Sequence, residues 1–173
     1  MIRMAVFLGN AGKEYEKTRH NAGFMLCSFL YPDAVFSVKF HSAWAKEGSL
    51  VIIKPLTLMN RSGTAVSEAA SFYKLKAEEI LVVHDDLELE LGKAVLQQGG
   101  GLKGHNGLRS IKERLGSDSF FRLRIGIGRP VHGDSARYVL SPFAKDEIIK
   151  LEQLFSLIAS KPVFSSDKLL LSV

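Results

Sequence analysis

The run Ile80-Leu81-Val82-Val83 is the most apolar strand-like stretch of the chain, and it ends abruptly in His84-Asp85-Asp86. Four apolar residues in a row, closed by polar ones, predict a short buried strand. A second such run, Met4 to Leu8, closes with Gly9-Asn10. Runs of this kind alternate with amphipathic stretches of helical period, which predicts an α/β domain. The polar residues gather just beyond the carboxyl ends of the predicted strands, at Asn10, at Asp85 and in the loop before Asn106. In open α/β sheets that edge is where ligands bind.

The remaining elements follow from the same periodicities. A helix is predicted over 20–30, carrying Phe24, Cys27 and Leu30. Three strands, expected to form a local antiparallel set, are predicted over 35–40, 42–46 and 50–54, with Pro55 closing the third. Helices are predicted over 62–74 (Val66, Ala69, Ala70 and Tyr73 inward), 106–115 (Leu108, Ile111 and Leu115 inward, Gly116 as C-cap) and 144–159 (Ile148, Leu151, Phe155 and Ile158 inward). Strands are predicted over 93–97 and 121–127, with a glycine-rich loop after the first. No pattern places the tail from Val163 to Val173.

A length of 173 residues suits one domain. The chain is 46% hydrophobic and 24% charged, which is ordinary for a folded soluble chain and excludes disorder as its main state. No apolar run approaches the roughly 20 residues of a membrane helix. The start lacks the features of a signal peptide, so the cytoplasm is the expected location. Cys27 is the only cysteine, which excludes an internal disulfide and a Cys-rich zinc site. A formal net charge of +5 permits a polyanionic partner without demonstrating one.

Several side chains carry candidate chemistry, and each has a plain structural alternative. His20, at a predicted helix start, is either a surface histidine or a general base. Asp85 and Asp86 either cap the following turn or supply a carboxylate that orients an imidazole. No Gly-x-Ser-x-Gly elbow is present, and Cys27 lies on an apolar helical face, so a His–Asp pair would act on water directly. Asn106 is an N-cap or an amide donor to a developing oxyanion; Asn10 and Asn60 pose the same choice. Gly99 to Gly104 fits the dinucleotide fingerprint as a bare pattern but lies late in the chain, and Lys103 is followed by Gly104, not by the Ser or Thr of a P-loop. His20, His84, His105, Asp85 and Asp86 are metal-ligand types without a helical ligand spacing. Arg122 and Arg124, two apart on one strand, form a solvated face or a phosphate clamp.

Taken together, the motifs resemble those of the bacterial peptidyl-tRNA hydrolase family. Gly9-Asn10-Ala11-Gly12, Tyr15 and Thr18-Arg19-His20-Asn21-Ala22-Gly23 are similar to its first signature, and Lys54 to Gly63 to its second. His84-Asp85-Asp86-Leu87 and Gly104-His105-Asn106-Gly107-Leu108 are similar to the third and fourth. Arg122 to Gly128 and Tyr138-Val139-Leu140 extend the similarity, which runs from about residue 5 to about residue 145. The resemblance implies a single domain over 1–173, a mixed central sheet flanked by helices. It implies a monomer with no metal, cofactor, membrane or obligate protein partner. The implied reaction cleaves the ester between a peptide and the 3′ end of tRNA. By position, His20 is implied as the base and Asp85 as its partner. Asn10, Asn60 and Asn106 are implied to shape the site and its water, and Met59 to line the peptide side. Tyr15, Lys103 and Arg124 are further expected on the substrate.

The departures from the pattern shape the expectations. Ala11 stands where proline is common, which loosens the loop of Asn10. Val95 and Gln97 stand where the family carries basic residues, and Lys103 is expected to supply a positive charge nearby. A competing reading is an RNA-binding module on the same scaffold with hydrolysis lost, as in plant organelle splicing factors that resemble the family. The intact His20, Asp85 and Asn106 favour an enzyme. A nucleotide- or metal-dependent hydrolase is the third reading.

Overall fold

The computed structural model describes residues 1–165 and 168–173. In chain order it contains β1 (Met4–Phe7), α1 (Ala22–Leu30), β2 (Ser37–Lys39), β3 (Ser42–Glu47), β4 (Leu50–Pro55), α2 (Ser62–Tyr73) and β5 (Ile80–Asp86). There follow β6 (Lys93–Gln98), α3 (Asn106–Leu115), β7 (Phe121–Gly126), α4 (Ser135–Val139), α5 (Lys145–Ala159) and β8 (Leu169–Ser172). The strands form one sheet in the order β2-β3-β4-β1-β5-β7-β6-β8. β4, β1, β5 and β7 run parallel, while β3 and β6 run against them, so the sheet is mixed as expected.

The strand period of two sorts the core into two layers. Ala5, Phe7, Leu81, Val83, Leu123 and Ile125 face α1 and α5, meeting Leu26, Cys27, Leu151 and Phe155. Met4, Val6, Leu8 and Val82 face the other way, toward Val66 and Ala69 of α2 and Leu108 and Ile111 of α3. Every residue of β1 and β5 is buried, which is why β1 and the first four residues of β5, Ile80 to Val83, are apolar without alternation. Burial also pushes the Cys27 thiol up to about 12, leaving it an inert core group. No helix among the described residues is long and apolar enough to cross a membrane.

The structure differs from expectation in four places. The first antiparallel strand shrinks to Ser37–Lys39, because Phe40 and His41 both take positive φ (54° and 51°) to turn the hairpin. The helix start at His20 is instead a single 3-10 turn, Arg19–Asn21, that precedes α1. The unplaced tail holds β8, which pairs antiparallel with β6 from Lys93↔Ser172 to Leu96↔Leu169. Finally, β6 is antiparallel, so the glycine-rich loop leaves the sheet at the edge opposite Asp85. Gln98 pairs with Phe121 at the start of β7, whereas Asp85 is level with Ile125 near its end. The loop must climb back along β7 before α3 begins.

Candidate active site

Asp85 sits at the carboxyl end of β5 with its side chain 2% exposed. The turn Arg19–Asn21 brings His20 over it, and His20 Nδ1 lies 2.9 Å from each carboxylate oxygen. Nδ1–H therefore donates to Asp85, and Nε2 keeps its lone pair free of the carboxylate. Burial alone would lower the His20 pKa. The Asp85 charge and hydrogen bond outweigh it and hold the imidazole above its ordinary 6.5. Burial would raise Asp85, yet the two imidazoles facing it, His20 and His105, hold it far below the usual carboxylate range.

The turn is fixed from outside. Arg19, immediately before His20, forms a bidentate pair with Glu147 of α5 at 3.0 and 2.8 Å. Its guanidinium lies 4.4 Å from the ring centroid of Tyr138 and 5.0 Å from that of Phe143, and its backbone N–H donates to Ser141. A bidentate, stacked arginine of this kind holds position and not merely charge.

His105 is a member of the site that the sequence left only among possible metal ligands. Its Nδ1 accepts from the N–H groups of Gly107 and Leu108 (3.1 and 3.4 Å) and so caps α3. The N-cap is therefore His105 and not Asn106, which is the first helical residue. With Nδ1 accepting, the proton resides on Nε2, which donates to Asp85 Oδ1 at 3.0 Å. Asp85 thus receives two imidazole N–H groups. His84, buried beneath, donates from Nδ1 to the Asp85 carbonyl at 2.7 Å, while its Nε2 is buried with no hydrogen-bond partner among the described residues. Burial, with the nearby His105, pushes His84 down to about 3, so it is neutral.

Asn10 follows β1 and is clamped by Asn21, another residue not singled out from the sequence. Asn10 N–H donates to Asn21 Oδ1 (2.8 Å), and Asn21 Nδ2 donates to the Asn10 carbonyl (3.0 Å). Asn10 Oδ1 accepts from Met59 N–H at 3.2 Å, which orients the amide with Nδ2 as its donor. Met59 is buried and packs on Gly107, where an added Cβ would lie 2.7 Å from its sulfur. It thereby joins the loop of Asn10 to the first turn of α3. Asn60, next in chain, is exposed, as is Asn106.

A cavity of about 190 Å³ opens over this centre, lined by His20, Asp85, Lys103, His105, Asn106 and Ser135 among others. Asn10 and Asn21 line a second hollow of about 620 Å³, beside Lys13, Lys17 and Lys54. Tyr15 lines neither. Neither expectation for the arginine pair describes what their guanidinium groups do. Arg124 donates to Asp86 (2.7 Å) and to Gln97 (2.9 Å), and Arg122 is buried on carbonyls of the glycine-rich loop. Lys103 is exposed at the cavity with φ of 53°.

His20, Asp85 and His105 offer ligand atoms within 4.8 Å of one another, a spacing that suits a metal ion. The tautomers argue for hydrogen bonding instead. His105 Nε2 carries a proton because its Nδ1 is committed to the helix cap, and His20 presents Nδ1–H to the same carboxylate. No hydroxyl or thiol is hydrogen-bonded to His20 among the described residues. The arrangement is a polarised imidazole with a free Nε2, ready to take a proton from water.

The sequence pattern of the family described as peptidyl-tRNA hydrolase matches residues 4–166. A peptidyl-tRNA hydrolase of Geotalea uraniireducens is 48% identical over 160 residues, covering 88% of this chain and 84% of that one. One of Treponema pallidum is 47% identical over 164 residues, covering 88% and 81%. The crystal structure of peptidyl-tRNA hydrolase from Acinetobacter baumannii superimposes with a TM-score of 0.83 at 36% identity, over 92% of this chain and 85% of that one.

Proposed function

The chain belongs to the peptidyl-tRNA hydrolase family, and we propose that it hydrolyses the ester between a peptide and the 3′ end of tRNA, with His20 as general base. The observation that carries the reading is the His20–Asp85 contact at 2.9 Å to both oxygens, which leaves Nε2 as the proton acceptor. Water gives its proton to Nε2 and attacks the ester carbonyl. The imidazolium that forms is stabilised by buried Asp85, whose charge is in turn held by His105. The Nδ2 groups of Asn10 and Asn106 are the amide donors suited to the oxyanion. On collapse, the carbonyl–oxygen bond to the ribose breaks and the departing 3′ oxygen takes the proton back from His20. The products are a peptide carboxylate and a free tRNA 3′ hydroxyl.

An ester leaves more readily than an amide, so a base and an oxyanion donor suffice without a covalent intermediate. Positioned general-base catalysis supplies roughly 10²–10⁴-fold. The reading extends to a monomer acting in the cytoplasm, with Lys103 and the lysines around the second hollow as the polyanion contacts. The test is hydrolysis of N-acetyl-aminoacyl-tRNA and of the unacylated aminoacyl-tRNA by the purified chain, with EDTA present. Cleavage of the acylated substrate alone is the expected result. Binding of tRNA without cleavage of either would make the chain an RNA-binding module.

A further inference from the structure

β6 delivers the glycine-rich loop to the wrong edge of the sheet. From the level of Arg122 to that of Ile125, beside Asp85, the strand advances three residue steps, or about 10 Å at the usual rise. The loop covers this climb and then turns sharply, with His105 N–H returning to the Leu102 carbonyl at 3.0 Å. Along the climb it is pinned from below. Arg122, 2% exposed, donates from Nε to Gly99 O (3.0 Å), from Nη1 to Gly101 O (3.0 Å) and from Nη2 to Gly99 O. Gln97 Nε2 adds a further hydrogen bond to Gly99 O at 3.0 Å. Gly100, at φ of 91°, has no room for a Cβ, which would lie 2.6 Å from Gln97 Nε2 and 2.8 Å from Arg122.

The same Gln97 accepts from Arg124 through Oε1, and Arg124 donates to Asp86, the neighbour of Asp85. We propose that Arg122 and Gln97 are positioning residues. They tie Gly99–Gly101 to β7 and to the end of β5, so that the loop delivers His105 to Asp85 and Asn106 to the cavity. The amide at position 97 donates to a carbonyl through Nε2 and accepts from a guanidinium through Oε1 at once. A basic side chain there, as the family resemblance leads one to expect, would lose the acceptor and repel Arg124. In this chain position 97 therefore serves loop geometry. The catalytic consequence rests on the roles given above for His20, Asp85 and Asn106; the anchoring does not.

The experiment pairs amide hydrogen exchange with steady-state hydrolysis of N-acetyl-aminoacyl-tRNA, for the parent, Gln97→Leu and Arg122→Lys. Gln97 is half-buried, so its variant remains informative even where Arg122→Lys folds poorly. In Gln97→Leu, exchange at the amides of Gly99 and His105 should rise about tenfold while β5 amides stay unchanged. Turnover should fall about five- to tenfold with KM moving less than about threefold, because the reacting groups lose alignment and not affinity. Arg122→Lys, which keeps the charge but not the fork, should lose more. Unchanged loop exchange would overturn the anchoring. Faster exchange with kcat within about twofold of the parent would overturn its bearing on catalysis. A parent that exchanges as described yet cleaves no substrate would refute the functional reading while leaving the anchoring intact.

Discussion

Asp85→Asn should disable the base through its tautomer more than through lost charge. The carboxylate now accepts from two imidazoles, His20 Nδ1 and His105 Nε2. An amide offers one oxygen and one N–H₂ group. His105 cannot adapt, because Gly107 and Leu108 N–H groups occupy its Nδ1 and keep the proton on Nε2. The amide oxygen of the variant must therefore face His105, and its N–H₂ must face His20. That N–H₂, at the Oδ2 position 2.9 Å from His20 Nδ1, disfavours a proton on Nδ1; the proton moves to Nε2, and in that tautomer the lone pair that should take water's proton is gone. In serine-protease triads the equivalent wrong tautomer costs about 10⁴ in kcat. Here kcat should fall by about 10³–10⁴, or roughly 4–5.5 kcal/mol of barrier, with KM within about threefold of the parent.

The assay is steady-state release of N-acetyl-amino acid from N-acetyl-aminoacyl-tRNA. The double variant Asp85→Asn with His105→Ala sharpens it. Without His105 the amide is free to turn its oxygen to His20, so the double variant should be faster than Asp85→Asn alone, a non-additivity of opposite sign to simple accumulated damage. A raised KM with kcat intact, or a double variant slower than the single one, would refute the tautomer argument.

Three further outcomes are expected. His84 titrates in the folded chain near 3 against an ordinary 6.5, so the unfolded chain takes up a proton that the folded chain refuses. Its contribution is complete above 6.5 and is lost as pH falls toward 3. His20, raised, acts in the opposite sense: its contribution is present below 6.5 and fades as pH rises through the folded value. In urea titrations at pH 7 and 5, His84→Gln should therefore lose less stability on acidification than the parent, and parallel losses would contradict the assignment. Gly63→Ala should cost about 1–3 kcal/mol or more, because a Cβ there runs into the Ser110 carbonyl where α2 crosses α3; an unshifted denaturation midpoint would count against that close contact. Lys103→Ala should raise KM for peptidyl-tRNA and reduce the slope of log affinity against log salt by about 1; an unchanged slope would remove Lys103 from the phosphate contacts.

The sequence carried the periodic elements well. β1 and β5 show as apolar runs because both their faces are covered, and α3 and α5 because one face of each is. The motifs also singled out His20, Asp85 and Asn106, which the fold brings to one cavity, and Asn10, which lines the second hollow. What escaped is non-local. Asn is the better N-cap by propensity, yet His105 takes that place, and its second nitrogen reaches a carboxylate 20 residues away. Arg19 finds Glu147 at a separation of 128 residues, which no local pattern encodes. The direction of β6 was equally invisible, since a strand's alternation is the same whichever way it runs. That direction decided that Arg122 would hold a loop. Asn21 and His105 did have a signal, each standing beside a singled-out residue inside a motif.

The pH dependence of kcat/KM on N-acetyl-aminoacyl-tRNA tests most directly whether His20 Nε2 is the base. The rate should rise through a single ionisation above 6.5, the side to which Asp85 shifts His20, and then level. His20→Ala should remove both the ionisation and nearly all hydrolysis while tRNA binding persists. A parent profile without that ionisation, or a His20→Ala chain that still turns over within about tenfold of the parent, would contradict it.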